Sequence, residues 1–260
     1  MKVAKTEEIL KPLQGHVFRF NCHKDIACFN DCCARLRLIL TPYDILRMKN
    51  RLGLSSQDFL EIYTDTFIEA HSPFPTVMVK MNKGEKETCP FLTEQGCAIY
   101  EDRPGACRLY PLGRASATAE GKRSATEKFF VVEESHCRGF YENKSWTLDQ
   151  WLEHEGVKEY NAMNDQWLKL FSSSRSLGVK EVTRKIQMFF MASYNLDMFR
   201  KFLFESRFFD LFHVAPGLKE KLDRDDMHLL IFAIDWLRFS LFGEKTIQPK
   251  GISGRPRTSP

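Results

Sequence analysis

Every cysteine of this chain falls between residues 22 and 137, as Cys22, Cys28, Cys32, Cys33, Cys89, Cys97, Cys107 and Cys137, and the 123 residues that follow hold none. Thiols gather in this way for disulfides, for a metal, or for redox chemistry. The compartment decides between these. The first ten residues lack the apolar run of a secretory signal. No segment approaches the roughly 18 apolar residues that span a bilayer, and the most apolar run, 229–234, is bounded by Asp226 and Asp235. The expectation is a soluble, cytoplasmic protein in a reducing compartment, where disulfides are rare. Soft thiolates then point to zinc or an iron–sulfur cluster.

The remaining totals narrow the class. An apolar fraction of 43% is enough for a core, and a net charge of +4 without a Lys/Arg run gives no electrostatic footprint for nucleic acid. No internal repeat is evident.

Along the chain, the first cysteines read C-x5-C-x3-C-C. If residues 27–37 are helical, Cys28 and Cys32 share a face, at i and i+4, and Cys33 points about 100° away. The clearest helix start is Thr41-Pro42 with Asp44 in the first turn, and Gly53 stops that helix. A second start follows at Ser55 or Ser56, with Phe59, Ile62 and Tyr63 on its buried side. Residues 76–81 are rich in β-branched side chains and read as a strand, with Cys89-Pro90-Phe91-Leu92 as its return. Residues 115–126 read as a mobile loop, and 129–132 as another strand. Beyond Cys137 the pattern turns helical. Thr147-Leu148-Asp149-Gln150 is a capping box, and Leu148, Trp151, Leu152, Tyr160, Met163, Trp167 and Phe171 recur at helical spacing up to Ser172-Ser173-Ser174. Further helices are expected over 180–204, broken near Asn195, and over 225–242, capped by Asp223 or Asp225 and stopped at Gly243.

Four cysteines can hold one Zn(II) or one cluster, so eight can fill two sites or one with spare thiols. The spacing matches neither a C-x2-C zinc finger nor a ferredoxin run. Cys89-Pro90 and the nearby cations Arg103, Arg108 and Arg138 tilt the reading toward iron–sulfur. His23 and His136, each beside a cysteine, read as hydrogen-bonding or surface side chains. Arg103 and Arg108 read as structural partners of carboxylates and carbonyls, and Tyr100 and Tyr110 as packing residues. The Phe-rich interval 199–212 reads as core, with an interaction surface left open.

Phe20, Cys22, Cys28 and Cys32-Cys33 are followed by Leu40-Thr41-Pro42-Tyr43-Asp44. Then come Cys89-Pro90-Phe91-Leu92, Gly96-Cys97-Ala98-Ile99-Tyr100, Arg103-Pro104, Cys107-Arg108, Tyr110-Pro111 and Cys137-x-Gly139. In that order, over roughly residues 18–140, they resemble the YkgJ-type cysteine-cluster family. The family tends toward closer spacing in the first block, where here five residues separate Cys22 and Cys28. The resemblance implies a zinc- or iron-chelating domain with no general activity assigned. Flagellin lysine methylases carry a similar cysteine motif, associated with an iron–sulfur cluster and S-adenosylmethionine. The resemblance therefore also implies, as an alternative, an iron–sulfur-dependent enzyme of redox or methyl-transfer type. No strand–G-x-G-x-x-G–helix loop accompanies it.

The expected fold is α+β and predominantly α-helical. Residues 1–142 form a cysteine-cluster metal-binding domain with short strands, 143–245 a helical region packed on it, and 246–260 a disordered tail. All eight cysteines are the expected ligands, of an iron–sulfur cluster (4Fe-4S) or of Zn(II). If the metal is structural, the helical region is where a protein partner would dock.

Overall fold

The computed structural model describes residues 10–13, 15–68, 72–117, 126–171 and 181–250. Among the described residues helix outweighs strand, 47% against 19%, and the fold is α+β with helix dominant. The chain divides into two compact units, Met1–Ser174 and Arg175–Pro260. The expected domain boundary after residue 142 lies inside the first unit.

The first unit begins with strands β1 (Leu10–Pro12), β2 (Val17–Arg19) and β3 (Ile39–Leu40), and continues into helix α1 (Pro42–Leu52). Thr41 and Asp44 close a capping box on α1, and Gly53 ends it in the left-handed conformation, which an L side chain takes only at a cost. Ser55 caps α2 (Ser56–Tyr63) by accepting from the Asp58 amide. Strands β4 (Thr64–Ile68) and β5 (Pro75–Val79) follow, and β3, β5 and β4 form an antiparallel sheet in that order. Val77 and Val79 are buried, as the period-2 pattern requires. Ile62 is 54% exposed, so the buried side of α2 is Phe59 and Leu60.

A short hairpin, β6 (Leu92–Thr93) and β7 (Gly96–Cys97), leads to the five-residue helix α3 (Gly105–Leu109). Strands β8 (Leu112–Ala117) and β9 (Thr126–Val132) pair antiparallel, with β1 on the outer side of β9. Residues 115–117 and 126 are therefore strand, not loop; the rest of that expected loop, 118–125, lies outside the described residues. Strand β10 (Ser145–Thr147) pairs with β2 and runs into α4 (Leu148–His154), whose capping box is formed by Thr147 and Gln150. Gly156 separates α4 from α5 (Val157–Leu168). Helix α5 packs on α1 and α3. The expected stop at 172–174 lies outside the described residues.

One core of this unit gathers Phe18, Phe20, Leu109, Leu112, Cys137 and Trp151. Phe20 meets Tyr110, Phe140 and Trp151 edge-on, at centroid distances of 5.3–5.9 Å, a favoured aromatic geometry. The Trp151 indole N–H donates to the Leu109 carbonyl at 3.0 Å and that of Trp146 to the Phe20 carbonyl at 2.9 Å.

The second unit holds α6 (Val182–Tyr194), α7 (Leu196–Glu205), the single turn α8 (Phe208–Leu211), β11 (Phe212–His213), α9 (Leu218–Arg224), α10 (Asp226–Phe242) and β12 (Gln248–Pro249). Asn195 breaks the first pair as expected, and its side chain caps α7 by accepting from the Met198 amide at 3.3 Å. Asp225 caps α10 through the Met227 and His228 amides, and Gly243 ends it. Helix α10 is the centre of this unit, with Leu229, Leu237 and Ala233 fully buried. Phe208 and Phe212 pack on Trp236 at 5.1 and 5.3 Å. The expected tail is structured over 246–250. Ile247 is buried, the Thr246 hydroxyl donates to the Asp235 carbonyl, and β12 pairs with β11. A polar, Pro-containing composition hides such long-range pairing from a local reading. Residues 251–260 lie outside the described residues. No helix among the described residues is long and apolar enough to cross a membrane.

Candidate metal centre

Residues 22–33 are held by turns rather than by the expected helix over 27–37. Among them only Asp31–Cys33 makes a helical turn, of the 3-10 type. Asn30 and Arg35 have positive φ, 73° and 56°, a conformation that interrupts a right-handed helix. After Cys33 the chain is extended, and it is tied to the segment before Cys89. The Cys89 amide donates to the Cys33 carbonyl at 2.8 Å and the Arg35 amide to the Glu87 carbonyl at 2.9 Å, with a bridge between Ala34 and Thr88. The expected returning strand at 89–92 is reduced to that bridge and the β6–β7 hairpin. Asn30 reaches the hairpin, donating to the Thr93 carbonyl at 3.1 Å.

All eight cysteines are free thiols; Cys22 is exposed, Cys137 buried, and the others half-buried. They fall into two groups. Partial desolvation by the surrounding chain pushes the Cys22 thiol up to about 11, exposed as the residue is, and Cys32, Cys28 and Cys137 add like-charge repulsion. Burial also raises Cys137, with Cys28 and Cys32 contributing. In the second group, burial pushes Cys107 up to about 12, with Cys89 and Cys97 again repelling the thiolate. Cys89 is raised by burial and by Cys97, and Cys97 by burial, with Arg103 opposing. Cys32 hydrogen-bonds Cys33, which raises it, and burial adds to the shift.

Backbone amides surround these sulfurs. The Arg138 N–H donates to Cys28 Sγ at 3.1 Å. The amides of Phe91, Ile99 and Gly139 bond the sulfurs two residues before them, Cys89, Cys97 and Cys137, and each favours the thiolate. The Tyr110 hydroxyl faces Cys137, where it too favours the thiolate, and Glu134. These donors fit sulfurs that carry charge when a cation is bound, because hydrogen bonds to the ligand sulfurs set the electronics of such sites. Among the described residues, which include all eight cysteines, no three Cys, His, Asp or Glu side chains stand close enough together to hold a metal ion. The donors suit a soft metal in their chemistry.

A buried charge network lies beside both groups. Arg103 forms a salt bridge with Glu155, the two side chains being 10% and 6% exposed. Arg103 also stacks on Tyr100 at 3.7 Å, and Arg108 donates to the Glu155 carbonyl at 2.7 Å. Glu155 acts on Cys22 and Arg103 on Cys97 and Cys107. The fully buried Asp44 accepts from the Gly105 amide at 2.8 Å and so ties α1 to the helix that carries Cys107. Arg103 and Arg108 thus pair with a carboxylate and with carbonyls, as expected, whereas Tyr100 is exposed rather than packed in, its ring carrying the Arg103 guanidinium, and Tyr110 turns its hydroxyl to Cys137. Glu155 was not visible in the sequence, because nothing local marks a glutamate after α4 as the partner of an arginine 52 positions earlier. His23 and His136 face carboxylates, Glu142 at 3.6 Å and Glu134 at 3.7 Å.

Gly139 shows how tightly the end of this region is packed. A Cβ there would come within 2.5 Å of the Phe20 ring and 3.1 Å of the Asn21 carbonyl oxygen. Gly139→Ala is expected to destabilise the first unit by about 1–3 kcal/mol, measured by urea unfolding. An unchanged midpoint would mean that the Phe20 layer gives way freely.

Residues 21–138 match the model of a family named for the motif CxxCxxCC and described as "Putative zinc- or iron-chelating domain". The match contains all eight cysteines. The C-x2-C-x2-C-C block of the family's name is stretched here to C-x5-C-x3-C-C, the extra residues forming the turns before Cys32. No curated protein and no solved structure matches the chain to significance.

Proposed function

We propose that residues 21–138, which match the model of a "Putative zinc- or iron-chelating domain", bind metal through their eight clustered thiolates, as an iron–sulfur cluster in preference to Zn(II). The observation that carries the reading is the coincidence of crowded thiols with donors aimed at them. Without a cation, Cys22 lies in the field of Cys32, Cys32 bonds Cys33, and Cys107 lies in the field of Cys89 and Cys97, so these thiols are held protonated; with one, the amides of Phe91, Ile99, Arg138 and Gly139 and the Tyr110 hydroxyl steady the sulfur charge. The bound group would supply either a redox couple or a fixed tetrahedral cross-link. Cys89-Pro90 and the buried Arg103, which offsets thiolate charge, favour the iron–sulfur form.

Anaerobic purification followed by elemental analysis and an absorption spectrum tests this directly. A brown protein with iron, sulfide and visible charge-transfer bands is the expected result. Colourless protein with stoichiometric zinc would remove the iron–sulfur preference, and protein with neither metal would remove the proposal.

Loading must also release protons, because thiols raised to about 11 and about 12 are neutral at pH 7 and bind as thiolates. Affinity should therefore fall as pH is lowered. Titration calorimetry in two buffers of different ionisation enthalpy reads the proton count; a heat independent of buffer would contradict it.

A further inference from the structure

We propose that the second unit carries a binding site for a small organic cation, an amine on an apolar body, in the cavity between helix α10 and the β11–β12 ribbon. The cavity has a volume of about 520 Å³, within the range of about 300–1,000 Å³ of small-molecule sites. All of its walls belong to the second unit, which holds no cysteine. The inference therefore goes beyond the metal reading and does not depend on it.

The cavity forms because the chain doubles back after α10. Gly243 ends that helix in the left-handed conformation, and the residues after it return along the helix instead of leaving it. The Glu244 amide donates to the Arg238 carbonyl at 3.2 Å, and the Arg238 guanidinium pairs with the Glu244 carboxylate at 2.6 Å. The Thr246 hydroxyl donates to the Asp235 carbonyl at 2.7 Å. Strand β12 then pairs with β11, and the Lys250 amide donates to the Leu211 carbonyl at 2.7 Å. The returning segment is thus pinned at both ends, and the space beside it is set by backbone ties.

The lining decides the ligand. Phe232, Ile247 and Leu218 supply an apolar wall, with Phe232 and Ile247 buried. The polar groups beside it are mainly acceptors. Phe232 and Asp235, three positions apart, share a face of α10, and a carboxylate only accepts. Thr246 has given its proton to the Asp235 carbonyl, so its oxygen is left to accept. Gln248 adds an amide oxygen and His213 an imidazole. Arg238 stands 3.4 Å from one Asp235 oxygen, but its shorter pair is with Glu244, so two carboxylates share one guanidinium there. A carboxylate has about four lone-pair sites, which leaves Asp235 room for a second cation. An apolar wall beside acceptors and surplus negative charge complements a hydrophobic body with an ammonium head. An anionic head would meet Asp235 as a like charge.

The test is titration calorimetry of the full chain with phenethylamine, and with hydrocinnamate as a probe of similar shape and opposite charge. Phenethylamine should bind, and hydrocinnamate should bind at least roughly tenfold more weakly, the discrimination expected of one charge-assisted hydrogen bond. Asp235→Asn keeps the backbone carbonyl that holds Thr246 and should weaken phenethylamine by a similar factor. Ala215→Phe, at an exposed position on the lining, should occlude the cavity and remove binding without changing charge. No heat with phenethylamine, equal affinity for the two probes, or wild-type affinity in either variant overturns the proposal. The comparison of probes on the wild-type chain needs no substitution, so it still decides the matter if a variant fails to fold.

Discussion

Glu155→Ala should lower the stability of the first unit by about 3–5 kcal/mol, the usual cost of stranding one partner of a buried ion pair. Glu155 is 6% exposed and Arg103 10%, so the arginine left behind cannot recover its hydration. The Tyr100 ring at 3.7 Å and the Tyr100 carbonyl remain, but neither carries a full negative charge. His154, at 2.9 Å from the other Glu155 oxygen, loses its partner as well. Urea unfolding followed by tryptophan fluorescence suits the measurement, because Trp146, Trp151 and Trp167 all lie in this unit. The double variant Arg103→Met/Glu155→Leu should recover most of the loss, since apolar side chains of similar volume often match a buried pair. A Glu155→Ala cost below about 1 kcal/mol would mean that water reaches Arg103.

Metal removal should have an effect of similar size, confined to the first unit. A ligand that binds only the folded chain adds about 4 kcal/mol at 1,000 times its dissociation constant. Chelation should therefore lower the melting transition of the first unit, whose thiol loops are short on regular structure. The second unit contains no cysteine and has its own core around α10, so the Trp236 signal should keep its transition. If both units melt as before, the metal does not support the fold. The metal-free chain should weaken further in alkali. Cys22 is raised from 9.0 to about 11 in the folded chain, so between those values the folded state holds a proton that the unfolded state has released. Stability then falls as pH rises through that window.

The sequence revealed what is local. Thr41, Thr147 and Asp225 announce helix starts, Gly53 and Gly243 announce stops, and Asn195 marks a break, because each effect acts within one turn. The cysteines were legible as a chemical set for the same reason. Misreadings occurred where distant parts decide. Residues 27–37 have a helical spacing of thiols, but Asn30 and Arg35 turn left-handed and the chain after Cys33 pairs with residues 87–89. Residues 246–250 read as tail, but Ile247 finds a buried place and β12 a partner strand. Glu155 shows no local pattern at all, because its role depends on an arginine that only the fold brings near.

The tie from the Arg138 amide to Cys28 spans 110 positions, and β2 pairs with β10 across a similar interval. During synthesis, then, Cys22, Cys28, Cys32 and Cys33 emerge from the ribosome well before Cys137 exists. At about 5–20 residues per second, the wait between Cys33 and Cys137 lasts about 5–20 s. Over that interval the nascent chain carries thiols that the fold has not yet sheltered from oxidation.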